Sequence, residues 1–190
     1  MGAIKFLIEG IRRFKEMGTV ARSSRFVGKM MIKKINFDTV KCIVELGAGD
    51  GPVTRQILKH MKEDTQLFLF EINKNLCKDL HKQFADDKRV HIIKDDAKKV
   101  AEYIAREGFD YADAILSEIP FVIIPEDDII EAAAAVLRPG GYYVQLHYSL
   151  IAKKRYLRIF GNVDIGFVPA NIPPAFIHFS KKEKIPSKST

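Results

Sequence analysis

The densest chemistry in this chain of 190 residues lies in seven of them, Glu45-Leu46-Gly47-Ala48-Gly49-Asp50-Gly51. Three glycines at a spacing of two follow an apolar run and precede Pro52, a residue suited to the first turn of a helix. Glycine accepts positive φ and lets backbone approach a ligand closely. The N–H groups that open a helix are ready donors to it. The pattern is G-x-G-x-G, not the G-x-G-x-x-G of pyrophosphate-binding loops. Glu45 stands two residues before the first glycine, where an anion would repel pyrophosphate and suit a cationic ligand. Further on, Glu71 ends a second apolar run twenty residues past Gly51, a position from which a carboxylate can accept from both hydroxyls of a ribose. Asp96 follows a third run and can accept from an adenine amino group. Ser117 leaves a fourth, beside the place where a reactive methyl would lie. A cationic amino group and sulfonium, a ribose and an adenine together describe S-adenosylmethionine. The expected cofactor contacts are Glu45, Gly47, Ala48, Gly49, Gly51, Glu71, Ile72, Asp96, Ala97 and Ser117.

Those residues can meet only if strand ends converge on one edge. Strands are expected over 42–46, 67–71, 90–93, 112–116 and 142–148, with helices over 52–61, 74–84, 97–106 and 127–137 between them. Such alternation predicts an α/β fold with a doubly wound, mostly parallel sheet. Arg138-Pro139-Gly140-Gly141 reads as a stop and a turn. After a basic helix over 151–160, strands at 163–168 and 175–179 have no helix between them. They imply an antiparallel hairpin at one edge and bring the sheet to seven strands.

Composition sets the surroundings. The chain is 47% hydrophobic and 29% charged, as in a globular protein with one sizeable core. No run of eighteen apolar residues and no secretory leader is expected, and Cys42 and Cys77 read as reduced, buried thiols of a cytoplasmic protein. The net charge of +7 is unevenly placed: residues 1–34 hold nine basic and two acidic residues, while 35–180 hold eighteen and twenty-one. Three parts are therefore expected: a basic amphipathic helical region (1–34), a cofactor-binding domain (35–180) and a basic, unstructured tail (181–190). In the first part, Ile4, Leu7, Ile8, Ile11, Phe14 and Met17 recur at helical spacing among lysines and arginines, and a second helix can start at Ser23 or Ser24. This head can pack on the sheet as an ordinary helix, contact nucleic acid, or lie on an anionic membrane with its apolar face in the acyl boundary. The large apolar residues favour the membrane. The five histidines form no cluster with ligand spacing, so no metal is expected.

Glu45 to Gly51, Phe70-Glu71, Asp96-Ala97 and Leu137-Arg138-Pro139-Gly140-Gly141 resemble the class I methyltransferases, which implies a Rossmann-like domain that binds S-adenosylmethionine. More closely, the chain resembles the bacterial phospholipid N-methyltransferases over nearly all of residues 1–180. The matching pieces are Gly18 to Ser24, Leu116 to Phe121, Gln145-Leu146-His147-Tyr148 and Asn171-Ile172-Pro173-Pro174-Ala175. Arg22 stands where that family commonly has proline, and Glu118 where it commonly has a small residue. The resemblance implies a peripheral enzyme of the inner membrane face that methylates phosphatidylethanolamine. The competing family is the RNA adenine dimethylases, whose Asn-Leu-Pro-Tyr motif aligns with Glu118-Ile119-Pro120-Phe121. Here Glu replaces the Asn, and no length remains for an RNA-gripping domain. Glu118 suits an amine that arrives as a cation and must lose a proton before attack. Tyr148, with Tyr143 or His147 near it, can hold the methylated cation against its ring. Strand alternation puts His147 and Tyr148 on opposite faces. A cofactor-binding regulator without transfer activity is the non-enzymatic alternative.

Overall fold

The computed structural model describes residues 20–120, 127–171 and 173–183. The helix expected over residues 3–17 lies outside them, as do Phe121 and Ile172. Seven strands form one sheet: β1 (Cys42–Leu46), β2 (Gln66–Phe70), β3 (Val90–Ile93), β4 (Ala112–Ser117), β5 (Leu137–His147), β6 (Asp164–Val168) and β7 (Ala175–Lys181). Their order is β3-β2-β1-β4-β5-β7-β6, parallel except at β7, which runs antiparallel to both β5 and β6. This is the Rossmann-like methyltransferase arrangement with its C-terminal antiparallel hairpin.

The helices are α1 (Val20–Met31), α2 (Pro52–Leu58), α3 (Lys74–Phe84), α4 (Val100–Arg106), α5 (Asp127–Val136) and α6 (Lys153–Phe160), with a 3-10 turn at Ala97–Lys99. All five residues of β1 are buried, because helices cover both faces of a parallel sheet. On one face Val27, Met31, Val53, Ile57, Leu80 and Phe84 pack against Ile43 and Leu69. On the other, Val100, Ile104, Ile130, Ala133, Tyr156 and Phe160 cover Val44, Phe68 and Tyr143. The basic helix α1 thus shares the core of the sheet. Gly28 permits this approach: a Cβ there would stand 2.7 Å from the Gln56 Cγ of α2.

Several boundaries differ from the sequence reading. Among the described residues α1 spans Val20–Met31, so Ser23 and Ser24 lie inside it and not at its start. The helix expected over 97–106 splits, because the Asp96 side chain accepts from the Lys98 N–H and draws the first turn into 3-10 geometry. Arg138 to Gly141 do not stop the chain between two elements. They bulge within β5, where Leu137 pairs with Ala112 and the next partners are Tyr142 and Ala114. The bulge is held from both sides: the Gly140 N–H donates to the Lys182 carbonyl, and the Lys182 N–H to that of Gly141. Gly141 has no room for a side chain, since a Cβ would lie 2.6 Å from the Asp113 carbonyl oxygen. β7 runs on to Lys181, and the Lys182 ammonium donates to the Ala134 and Ala135 carbonyls at the end of α5. The first residues of the expected tail are therefore part of the sheet and of a helix cap.

Candidate active site

The loop after β1 is shaped by backbone. Gly47, Gly49 and Gly51 all have positive φ, at 75°, 58° and 81°. The Gly47 and Ala48 N–H groups donate to the Phe70 carbonyl, and the Gly51 N–H donates to that of Ala48. At Gly47 a Cβ would press on Ile119 Cγ1 at 3.0 Å, whereas at Gly49 the space is open. The open side of the loop is the wall of a cavity of about 400 Å³ at the carboxyl edge of the sheet. That volume suits a small-molecule or cofactor pocket.

Six of the expected contacts line this cavity: Gly47, Gly49, Glu71, Ile72, Asp96 and Ala97. Glu71 is the best placed. Its Oε2 accepts from the Gly49 N–H at 3.0 Å and its Oε1 from the Asn73 N–H at 2.8 Å. Two backbone bonds hold the carboxylate at the end of β2 and leave lone pairs for a diol. Asp96 uses one oxygen as the helix cap and is exposed on the cavity rim. Asp95 beside it also lines the cavity. The Lys99 ammonium, the Asp96 N–H and the Tyr103 hydroxyl hold its carboxyl down to about 2.

Four expected contacts lie elsewhere. Glu45 is not among the cavity's lining residues; it lies under α2, on the face of β1 opposite that of Leu46. It is fully buried, and its Oε2 accepts from the Thr54 hydroxyl at 2.8 Å. Its Oε1 is buried without a partner, and burial pushes its pKa up to about 8. Ala48 is buried behind the loop. Gly51 precedes α2 and packs on α3, where a Cβ would meet Phe84 at 2.6 Å. Ser117 is fully buried in β4, and the Ile119 N–H donates to its hydroxyl at 3.4 Å.

At the mouth, Glu118, Ile119 and Pro120 line the cavity directly after β4. The Glu118 N–H donates to the Leu46 carbonyl, which ties this loop to the glycine loop. The Gln145 amide donates to the Ile119 carbonyl at 2.9 Å, and the Tyr143 hydroxyl donates to Gln145 Oε1 at 2.9 Å. Tyr148 is not on the cavity wall, but it lies within electrostatic reach of Glu118 and hydrogen-bonds the Asn171 side chain. Burial, then the Glu118 charge, push its phenol up to about 12. The alternative partners are excluded by burial. Tyr143 is fully buried on the opposite face, and His147 bonds the Tyr156 hydroxyl at 2.8 Å. Burial, then the neighbouring His178, hold His147 down to about 3.

The residues that sequence reasoning missed fall into two groups. Phe70, Asp95, Ile119 and Pro120 are immediate neighbours of motif positions, and Leu76 and Ile129 come from the first turns of α3 and α5. Asn171, buried to 5% exposure, was visible only as part of Asn171-Ile172-Pro173-Pro174; its amide donates to the Pro173 carbonyl at 2.7 Å. Among the described residues no group of three or more His, Cys, Asp or Glu can hold a metal ion, and Cys42 and Cys77 are free and buried.

The cavity fits S-adenosylmethionine on its own chemistry. A fixed carboxylate faces it at the end of β2, a second lies at the end of β3, and the Gly49 backbone is open to close approach. Comparison with known proteins agrees. The family model described as ribosomal RNA adenine dimethylase matches residues 22–163. The ornithine lipid N-methyltransferase of Singulisphaera acidiphila is 25% identical over 183 residues, covering 94% of this chain and 95% of its own. Among solved structures, precorrin-6y C5,15-methyltransferase of Geobacter metallireducens superposes with a TM-score of 0.64 at 16% identity, over 82% of this chain and 88% of the other. An rRNA methylase of Streptococcus thermophilus superposes at 0.59 and 15% identity, over 86% and 95% of the two chains. At such identities these two likenesses bear on the fold alone.

Proposed function

The chain belongs to the ribosomal RNA adenine dimethylase family, hence to the methyltransferases that use S-adenosylmethionine, and we propose that its acceptor is the amine of a phospholipid headgroup, phosphatidylethanolamine, at a membrane surface. The observation that carries this reading is Glu118. It puts a carboxylate at the cavity mouth where adenine dimethylases carry Asn, and a carboxylate suits a cationic amine better than a neutral base. The end-to-end match to a lipid N-methyltransferase supports it, since that relative has the length of this chain. The surplus of basic residues in 1–34 supports delivery to an anionic bilayer, through the charged side of α1, whose apolar side is packed on the sheet, with residues 35–180 as the catalytic domain.

When bound, S-adenosylmethionine supplies an electrophilic methyl group. Glu71 would hold its ribose, Asp96 its adenine, and Gly47 and Gly49 the backbone side of the ligand. An ethanolamine amine has a pKa near about 10, as lysine does, and is protonated until a base relieves it. Glu118 holds the ammonium and accepts its proton, leaving the nitrogen lone pair free. Tyr148 remains a neutral phenol at about 12 and is not that base. It stands behind Glu118, off the cavity wall, where the Asn171 side chain holds it and its phenol lies within electrostatic reach of that carboxylate. Alignment and exclusion of water do the rest.

The test is transfer from labelled S-adenosylmethionine to phosphatidylethanolamine liposomes and, separately, to ribosomal RNA. Label in the lipid is expected. Label in RNA overturns the reading, and tight cofactor binding with no transfer to either replaces it with a regulatory role.

A further inference from the structure

Away from the cofactor cavity, a groove of about 320 Å³ runs between α1 and the turn joining β6 to β7. Phe26, Lys29, Met30, Lys33, Phe167 and Pro169 are among its walls. Strand register locates it. β5 pairs His147 with Phe176, and β6 pairs Phe167 with Phe176 and Val168 with Ala175. The β6–β7 turn therefore stands beside the carboxyl end of β5, on the edge where the cofactor cavity opens. α1 lies along β6. Lys34 is ion-paired with Asp164 where β6 begins, Met30 packs over Gly166, and Phe26 reaches the end of the strand.

The groove has the make-up of an interfacial surface. Arg25 and Lys29 stand four residues apart on α1 and Lys33 follows in the turn after it; all three are exposed. Lys29 and Lys33 form no ion pair among the described residues. Phe26 and Phe167 flank these cations at 41% and 50% exposure. On the same edge the loop after β5 leaves Ile151 84% exposed, next to the exposed Lys153 and Lys154. Exposed large apolar side chains beside exposed cations describe a surface that enters a lipid headgroup layer. An RNA backbone would account for the lysines but leave Phe26, Met30, Phe167 and Pro169 in water.

We propose that this edge docks on an anionic phospholipid bilayer, with Phe26 and Phe167 entering the acyl boundary while Lys29 and Lys33 meet lipid phosphates. The proposal rests on the lipid reading above and adds the β6–β7 turn as a second docking element beyond residues 1–34. Docking there turns the mouth of the cofactor cavity toward the membrane.

The test is cosedimentation of the full chain with vesicles of phosphatidylglycerol and phosphatidylcholine, in parallel with vesicles of phosphatidylcholine alone. Phe167→Ser is expected to lower partitioning to the anionic vesicles about tenfold by removing buried apolar area. Lys29→Gln combined with Lys33→Gln is expected to lower it about tenfold or more, and to flatten its salt dependence. Circular-dichroism melts matching the parent show that both variants fold. Partitioning unchanged in Phe167→Ser overturns the groove, even if the lysine variant is weakened. Methyl transfer to detergent-dispersed phosphatidylethanolamine separates the two readings. If the variants keep that transfer and lose vesicle binding, both stand. If the parent chain binds vesicles through the groove but labels no dispersed lipid, the docking surface stands and the proposed acceptor fails.

Discussion

Glu45 is a carboxylate one strand residue away from a ligand loop, yet it faces the core. Burial raises its pKa from the ordinary 4.5 to about 8, against the hydrogen bond from Thr54, which lowers it. A carboxyl that keeps its proton in the folded state and loses it in the unfolded chain makes folding weaker as pH rises between those two values. The melting temperature of the parent chain is therefore expected to fall from pH 5 to pH 8, and that of Glu45→Gln to fall less. Glu71 differs because both its oxygens accept backbone N–H groups beside the cavity. Glu71→Gln is expected to weaken S-adenosylmethionine binding about tenfold or more by calorimetry, as loss of a charged hydrogen-bond acceptor does. Glu118→Gln should leave that affinity unchanged and reduce turnover at saturating cofactor by about a hundredfold or more, the usual weight of a general base. Full turnover in that variant removes Glu118 from the mechanism.

Among the elements, the central strands are tied together by a residue outside every ligand motif. Asp113, near the start of β4, is 6% exposed and accepts from the Lys41 and Cys42 N–H groups at 2.7 and 2.9 Å. It also pairs with Arg138 Nε at 2.7 Å, joining the entry of β1 to the β5 bulge. Asp113→Ala leaves two backbone amides and the half-buried Arg138 guanidinium without their acceptor, and is expected to cost about 1–3 kcal/mol in urea unfolding. The glycine loop is anchored differently, by backbone bonds between strand ends, so its glycines were legible from spacing alone. The faces of the strands were not. Glu45 and Ser117 stand at the right sequence positions, but β1 and β4 turn their side chains into packed interiors.

For the whole molecule, the net charge of +7 is concentrated toward the N-terminus, and part of it lies on α1 beside exposed aromatic side chains. Such a surface is sensitive to screening. Raising ionic strength from about 0.01 M to about 0.15 M shortens the Debye length from about 30 Å to about 8 Å. Vesicle association is expected to weaken steeply over that range while cofactor affinity, set inside a partly closed cavity, stays nearly constant. Equal salt sensitivity in both measurements would argue against separate surfaces for membrane and cofactor. No helix among the described residues is long and apolar enough to cross a membrane.

The sequence by itself determined the fold class, the order of strands and helices and the glycine loop, because period-two and helical patterns and glycine's freedom at positive φ are local properties. It also placed Glu71 and Asp96 at strand ends, where an α/β sheet binds ligands. Tertiary structure alone decided which face each strand residue takes, since that depends on which helices cover the sheet. It therefore moved Glu45 and Ser117 off the cavity. It also brought Glu118, Tyr148 and Asn171 together from three separate segments, and set α1 beside the β6–β7 turn. The first encounter follows from β4 and β5 lying side by side and the second from β7 being placed between β5 and β6, a strand order that is long-range and that no local pattern encodes.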